Sequence, residues 1–511
     1  MSNSRYWGLF AACAAGWLIT FLLMAPAMNG TDVYIFRDAG WNLAAYGSFQ
    51  SAALLYMRDL TPRLFSHYTP AMPLLFAGYA SVFPRNAYAG TVFNLLLGLL
   101  AAAVSLRWVL RLAAAENKLR YAVALAIATL PVVFIAYDRP EAIALVLFTA
   151  TVALSSKPTP RPAPIGLSIA GTFLAHPFAA VAAATWAAAL LLAHAWNQPR
   201  RWLLALRQIA AAGASALAAL FLVALLYYTL DRDSLARFVG HALGIHSGIG
   251  VVTASGSHKS FFEAIHHAIF GAGRQQAWAY MLSLFSILLL AGWFIFHRKK
   301  LSQREWLPIA AGLVCAFISV SLFSIQGNYM TFLAFAVPLG LIVVSRPGGN
   351  LAAPGLALLL FAAFIHLPDI GIELFQGVER LPSYRAARLQ PAYLLSQLPS
   401  HEAIVAVEGG SYDLFKPKFH RMIELDNVED ANRYAEVAAV ANCYGSSHLD
   451  DGEVLALPVK LDAADFHLIQ AAPEHLWITL FGHRIMRKQW GYGCDLYLRN
   501  GLPRSADNSQ F

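Results

Sequence analysis

Apolar runs recur through residues 1–368, most of them near the roughly 20 residues that a 30 Å hydrocarbon core demands. About eleven occur, at 7–28, 88–110, 121–136, 142–154, 165–175, 178–196, 203–230, 277–296, 307–325, 329–345 and 351–367. They predict an α-helical polytopic membrane protein. Composition agrees, because only 13% of the 511 residues are charged and 58% are hydrophobic, whereas a soluble enzyme carries roughly 25% charge.

Charge divides the chain in two. Residues 1–368 hold 24 Lys and Arg against 10 Asp and Glu, while residues 369–511 hold 13 against 19. Two domains follow: a transmembrane module over 1–368 and a hydrophilic tail over 369–511. The cations of the first part form short clusters between apolar runs, which points to topology and away from nucleic acid.

Arg5, Arg107 to Arg120, Lys157 and Arg161, Arg200 to Arg207, Arg298 to Arg304, and Arg346 occupy alternate loops and mark the cytoplasm. Of the ten acids in this part only Glu116 and Glu305 share that side; Asp32, Asp38, Asp59, Asp138, Glu141, Asp231, Asp233 and Glu263 lie opposite. The short apolar segment 70–83 reads as a re-entrant or interfacial helix, since counting it as a span would invert every later loop. An odd number of spans with a cytoplasmic N-terminus delivers the tail to the periplasm or cell exterior, as expected of a multi-pass protein of a bacterial inner membrane. Ala25-Pro26-Ala27 resembles a signal-peptidase site, but the preceding apolar run exceeds an ordinary signal sequence and reads as an uncleaved anchor.

The tail reads as a small α/β domain. Strands are predicted over 402–407, 421–425, 476–480 and 494–498, with a helix over 429–440. Gly409-Gly410 and Gly491-Tyr492-Gly493 are turn signals, without the spacing of a phosphate loop. Cys13 and Cys315 fall within spans. Cys443 and Cys494 both fall in the exported tail, where they are either disulfide-bonded or two unrelated thiols.

The chemistry-bearing residues cluster on the outward side. Asn29-Gly30-Thr31-Asp32-Val33 places a carboxylate just after the first span, and Phe36, Ala39, Leu43, Gly47 and Phe49 continue a small-residue helix. Tyr68-Thr69-Pro70-Ala71-Met72-Pro73-Leu74-Leu75 follows, then Asp138-Arg139-Pro140-Glu141-Ala142, and later Tyr329-Met330-Thr331 leading to Pro338. This layout resembles the C-type-fold (GT-C) membrane glycosyltransferases that use polyprenyl-phosphate sugars, in particular the protein O-mannosyltransferase and aminoarabinose-transferase branch. The resemblance covers nearly the whole chain.

It implies an inverting transfer, in which Asp32 deprotonates an acceptor hydroxyl that attacks the anomeric carbon of a sugar on a lipid phosphate. Asp38 is the reserve base, or else half of a surface ion pair beside Arg37. Relatives carry a basic residue just before the double-Pro motif, on the donor phosphate; here Tyr68 stands there, with His67 and Arg63 as the nearest substitutes. Arg139, a cation opposing the helix macrodipole, is the preferred second phosphate ligand. Asp138 and Glu141 read as a capping box around Pro140, with Glu141 also counted at the substrate. His176, before Pro177 at an outer turn, either bonds the donor or satisfies a backbone carbonyl. Tyr329 completes the set, preceded by Asn328 where relatives often have a cation.

The loop 231–276 reads as a lid over the cavity. Its histidines lack a metal-binding spacing, so no metal site is predicted and no divalent ion is indicated. The expected partners are the lipid bilayer, a polyprenyl-phosphate sugar, and a glycan, lipid or protein acceptor. The alternative is a transporter or flippase of lipid-linked sugars, whose signature of paired repeats and midplane charge the sequence lacks.

Overall fold

A computed structural model describes residues 3–24, 33–51, 64–66, 68–86, 88–112, 140–196, 199–247, 306–311, 389–400, 403–407, 411–425, 436–442, 465–471, 477–480, 483–487 and 494–502, with a few further positions between 288 and 360. The chain divides into two compact units. One comprises residues 1–17, 68–71 and 94–368; the other comprises 18–67, 72–93 and 369–511. The second unit thus resumes at Asp369, where charge divides the sequence, but it also takes in most of the first loop.

The helices are α1 (Asn3–Met24), α2 (Val33–Tyr46), α3 (Ala71–Val82), α4 (Ala89–Leu112), α5 (Glu141–Ser155), α6 (Pro162–Ala175), α7 (Pro177–Ala195), α8 (Pro199–Leu230) and α9 (Arg232–Ser247). Six of the apolar runs correspond to α1, α4, α5, α6, α7 and α8, and α3 occupies the short 70–83 segment. The run at 121–136 lies outside the described residues, as does most of the four runs between 277 and 367. Among the described residues, two helices are long and apolar enough to cross a membrane, Pro177–Ala195 and Trp202–Leu230.

In the first unit α5, α6, α7 and α8 pack through small residues. Ile165, Ala187, Leu191 and Ala212 form one buried cluster. Thr151 Oγ1 donates to Ser168 Oγ at 2.8 Å, and Ser168 Oγ donates to the Leu147 carbonyl at 3.0 Å, tying α5 to α6. On α8, Leu203, Leu217, Phe221 and Leu222 are all exposed.

Gly166 sets the spacing of α6 on α8. A Cβ there would run into the Ala212 carbonyl and stand 2.7 Å from Ser215 Cβ. Gly166→Val is therefore expected to force the helices apart and cost about 1–3 kcal/mol, as overpacking does; thermal unfolding in detergent measures it, and an unchanged midpoint would contradict this close contact.

The first part of the predicted lid is helical, as α9. Asp231 starts that helix as its cap, accepting the Asp233 N–H on Oδ1 at 3.2 Å. Residues 248–276 lie outside the described residues.

Among the described residues the tail carries seven strands: β1 (Ile404–Val407), β2 (Met422–Glu424), β3 (Val437–Asn442), β4 (Phe466–Gln470), β5 (Trp477–Leu480), β6 (His483–Arg487) and β7 (Asp495–Arg499). A five-stranded sheet has the order β2-β1-β3-β7-β4, and β5 pairs with β6 alone. β1 runs parallel to β2 and β3, and β7 runs antiparallel to β3 and β4. The predicted helix over 429–440 is corrected in its last part, because Val437–Asn442 is a fully buried strand beside β1. Its Ala-rich run suits a helix by propensity, but a strand covered on both faces also reads as a continuous apolar run.

Ile404, Ala406, Ile423, Leu425, Val437, Val440 and Phe466 form the core on this sheet. Cys494 enters β7 as a buried, disulfide-bonded residue. Cys13 is free, and Cys443 lies outside the described residues. The Gln390 side chain grips the Cys494 backbone from both sides, donating to its carbonyl at 3.2 Å and accepting its N–H at 3.0 Å. That pairing stitches the helical stretch 389–397 to the start of β7.

Candidate active site

Pro177 dictates the local geometry at His176. A residue before proline avoids the helical region, and His176 is extended, with φ −158° and ψ 109°. It ends α6 by donating its N–H to the Thr172 carbonyl at 2.7 Å, and starts α7 by accepting the Ala180 N–H at 3.2 Å. The break brings its imidazole beside the first residue of α5, with His176 Nε2 3.8 Å from Glu141 Oε1. That separation is too long for a hydrogen bond and becomes an ion pair when the imidazole is protonated.

Thr69 brings in the third segment. Its Oγ1 donates to the Ala175 carbonyl at 2.8 Å, pinning the residues before α3 to the end of α6. Tyr68 then meets His176 edge to face, ring centroids 6.4 Å apart, and Phe178 closes the other side at 6.1 Å. Tyr68, Glu141 and His176 are all buried. A phenol, an imidazole and a carboxylate drawn from sequence positions 68, 141 and 176 thus meet within one unit.

Chemically, Tyr68 and His176 can donate O–H and N–H bonds to an anion or a sugar hydroxyl. Glu141 places a carboxylate 3.8 Å from that imidazole, where it can accept a hydrogen bond from a hydroxyl. Glu141 does not fill the predicted capping role. Pro140 occupies the N-cap position with no side-chain cap, and Glu141 is the first helical residue; its side chain lies beside His176, while its charge still favours the helix start. Asp138 lies outside the described residues, as do Asp32, Arg63, His67, Arg139 and Tyr329.

Asp38 has a different occupation from the one predicted. It is buried in the second unit, where Lys416 Nζ stands 2.8 Å from its Oδ1 and Ser51 Oγ donates to its Oδ2 at 2.8 Å. The Tyr412 hydroxyl donates to the same carboxylate. Burial, with Asp38 and Asp413 close by, pushes the Tyr412 phenol well above the usual tyrosine range, so it stays a donor. Arg37 does not pair with Asp38; it is buried against Asp413, whose Oδ1 also accepts Trp41 Nε1–H at 3.1 Å. The ion pair expected at the surface is therefore an interior network, and Asp38 is held by donors on several sides. Tyr412, Asp413 and Lys416 carried no signal in the sequence, since their partners lie more than 360 residues away.

No protein-family model matches this chain, and no curated protein matches it in sequence.

Proposed function

We propose that this chain is a multi-pass membrane glycosyltransferase that moves a sugar from a polyprenyl-phosphate donor to a glycan, lipid or protein acceptor on the outer side of the membrane. The observation that carries the reading is the meeting of Tyr68, Glu141 and His176, three donor-site candidates that come from separate segments of the sequence. His67 immediately precedes Tyr68, and Arg139 lies two residues before Glu141, so both candidate cations belong to the same chain segments. In this reading they face the leaving phosphate, which needs positive charge and donors more than it needs a general acid. Asp32 is the base that activates the acceptor hydroxyl.

Two further features support the membrane and the side. Small residues between helices with Leu and Phe facing outward is the arrangement lipid favours, because lipid tails are as apolar as leucine and close backbone approach drives helix association. A disulfide at Cys494 suits an oxidising compartment, as expected for an exported tail.

The test is transfer by the full chain in liposomes, given a panel of radiolabelled polyprenyl-phosphate hexoses and aminopentoses with a membrane extract as acceptor. Labelled product is expected from at least one donor. His176→Ala and Glu141→Gln are expected to weaken donor binding, raising KM by about tenfold, the loss of one charge-assisted contact of about 1.4 kcal/mol. Donor that moves between leaflets without forming product would instead identify a flippase.

A further inference from the structure

The turn that joins α3 to α4 carries a pocket of about 410 Å³ within the second unit, lined by Tyr79, Pro84, Asn86, Tyr88, Ala89 and Val92. Small-molecule sites occupy roughly 300–1,000 Å³. Local hydrogen bonds build the rim. The Phe83 N–H donates to the Tyr79 carbonyl at 2.9 Å as α3 ends, and Pro84, which has no N–H to continue the helix, turns the chain. Asn86 then starts α4. Its Oδ1 accepts the Tyr88 N–H at 3.0 Å and its carbonyl accepts the Ala89 N–H at 3.0 Å, the local bonding that suits Asn to turns and helix starts.

The cation of this turn is engaged elsewhere. Arg85 donates from Nη2 to the Ala44 carbonyl of α2 and from Nε to the Ala80 carbonyl of α3, the latter at 3.3 Å. Those bonds fasten the turn to two helices of its own unit, so the pocket is shaped before a ligand arrives.

None of the lining residues is charged, and Pro84, Tyr88, Ala89 and Val92 give it mainly apolar walls. Two donors are left over. The Tyr79 ring is held by stacking on Phe83, centroids 4.7 Å apart, yet its hydroxyl has no hydrogen-bond partner among the described residues. The Asn86 side chain gives its oxygen to Tyr88, and its NH2 is likewise unpaired among the described residues.

This combination selects a ligand class. A phosphate or carboxylate finds no cation among the lining residues, and a hydrocarbon chain would strip water from both donors without offering an acceptor, which is costly. A neutral sugar ring meets both demands: its C–H face can lie against the Tyr88 and Pro84 rings while its oxygens accept from Tyr79 and Asn86. We infer that the pocket binds one neutral sugar residue of a glycan. As a binding site it stands independently of the proposed transfer; joined to that reading, on which this further step rests, it selects a glycan from the three acceptor classes.

The experiment uses the full chain in nanodiscs and saturation-transfer NMR with the methyl glycosides of glucose, mannose, galactose and N-acetylglucosamine, beside glucose 6-phosphate and glucuronate. At least one neutral glycoside is expected to bind, and the two anions are not. Tyr79→Phe keeps the stacked ring and removes only the hydroxyl; it is expected to raise Kd by about three- to tenfold, the loss of one neutral hydrogen bond. Asn86→Ala is expected to act similarly, with the unfolding temperature measured because it also loses the helix-start bond. Tyr88→Ala is expected to raise Kd by about tenfold. In transfer assays with a donor that the wild type turns over, Tyr79→Phe is expected to raise the acceptor KM and leave the donor KM within about twofold. A wild type that binds no neutral glycoside, one that binds the anions equally well, or affinity unchanged in both Tyr79→Phe and Tyr88→Ala overturns the inference. Glycoside binding that these variants weaken, with no transfer from any donor, upholds the sugar pocket and removes the transferase reading.

Discussion

Asp32→Asn is expected to lower sugar transfer by about 100- to 10,000-fold, the contribution of a positioned general base, while donor binding and the unfolding temperature stay near wild type. The amide keeps the shape of the carboxylate but cannot accept the acceptor's proton. Asparagine is also the substitution that tells a catalytic base from a residue that merely caps a helix. As an N-cap ahead of α2, Asn and Asp are nearly equivalent, so a capping residue tolerates the change and a base does not. Initial rates with a radiolabelled donor, beside donor binding measured on the same liposomes, decide the matter. Turnover within a few-fold of wild type would remove Asp32 from the chemistry, and with Asp38 held by Lys416, Tyr412 and Ser51 no described carboxylate in the first loop would replace it.

The second large effect is on stability. Asp413→Ala removes the carboxylate that Arg37 and Trp41 share in the interior, and taking one member from a buried ion pair costs about 3–5 kcal/mol. The cost arises from the cation left behind in a low dielectric more than from the attraction lost. A second change, Arg37→Met, is therefore expected to recover most of it, because a buried pair replaced by apolar side chains of similar volume is often neutral. Denaturant unfolding of both variants in detergent gives the comparison. A loss below about 1 kcal/mol for Asp413→Ala would mean that water reaches the pair, contrary to the zero exposure of both side chains.

Much of the secondary structure was legible in the sequence. Helices at 141–155, 162–175, 177–195 and 199–230 follow from long apolar stretches punctuated by Pro at their starts, a signal that depends on neighbours in the chain. β1, β2, β5 and β7 likewise stand out as short β-branched or aromatic runs. β3 was misread because Val437-Ala438-Ala439-Val440 favours a helix until partners on both sides make it a central strand. β4 passed unnoticed because an edge strand with exposed His467 and Leu468 shows no clean alternation.

The candidate site divides the same way. Tyr68, Glu141 and His176 could be selected one by one, from a proline, a helix start and a resemblance, but no local pattern says that they meet. Among the described residues, composition and periodicity by themselves marked where apolar helices form, and along the whole chain they marked where the charge balance changes, because those properties depend on residues a few positions apart. Only the tertiary structure decided that Asp38 serves Lys416 and Tyr412, and that Arg37 turns away from its neighbour to Asp413. The choice of partner for a buried charge is made by whichever opposite charge the fold delivers into the same dry space, and sequence distance carries no record of it.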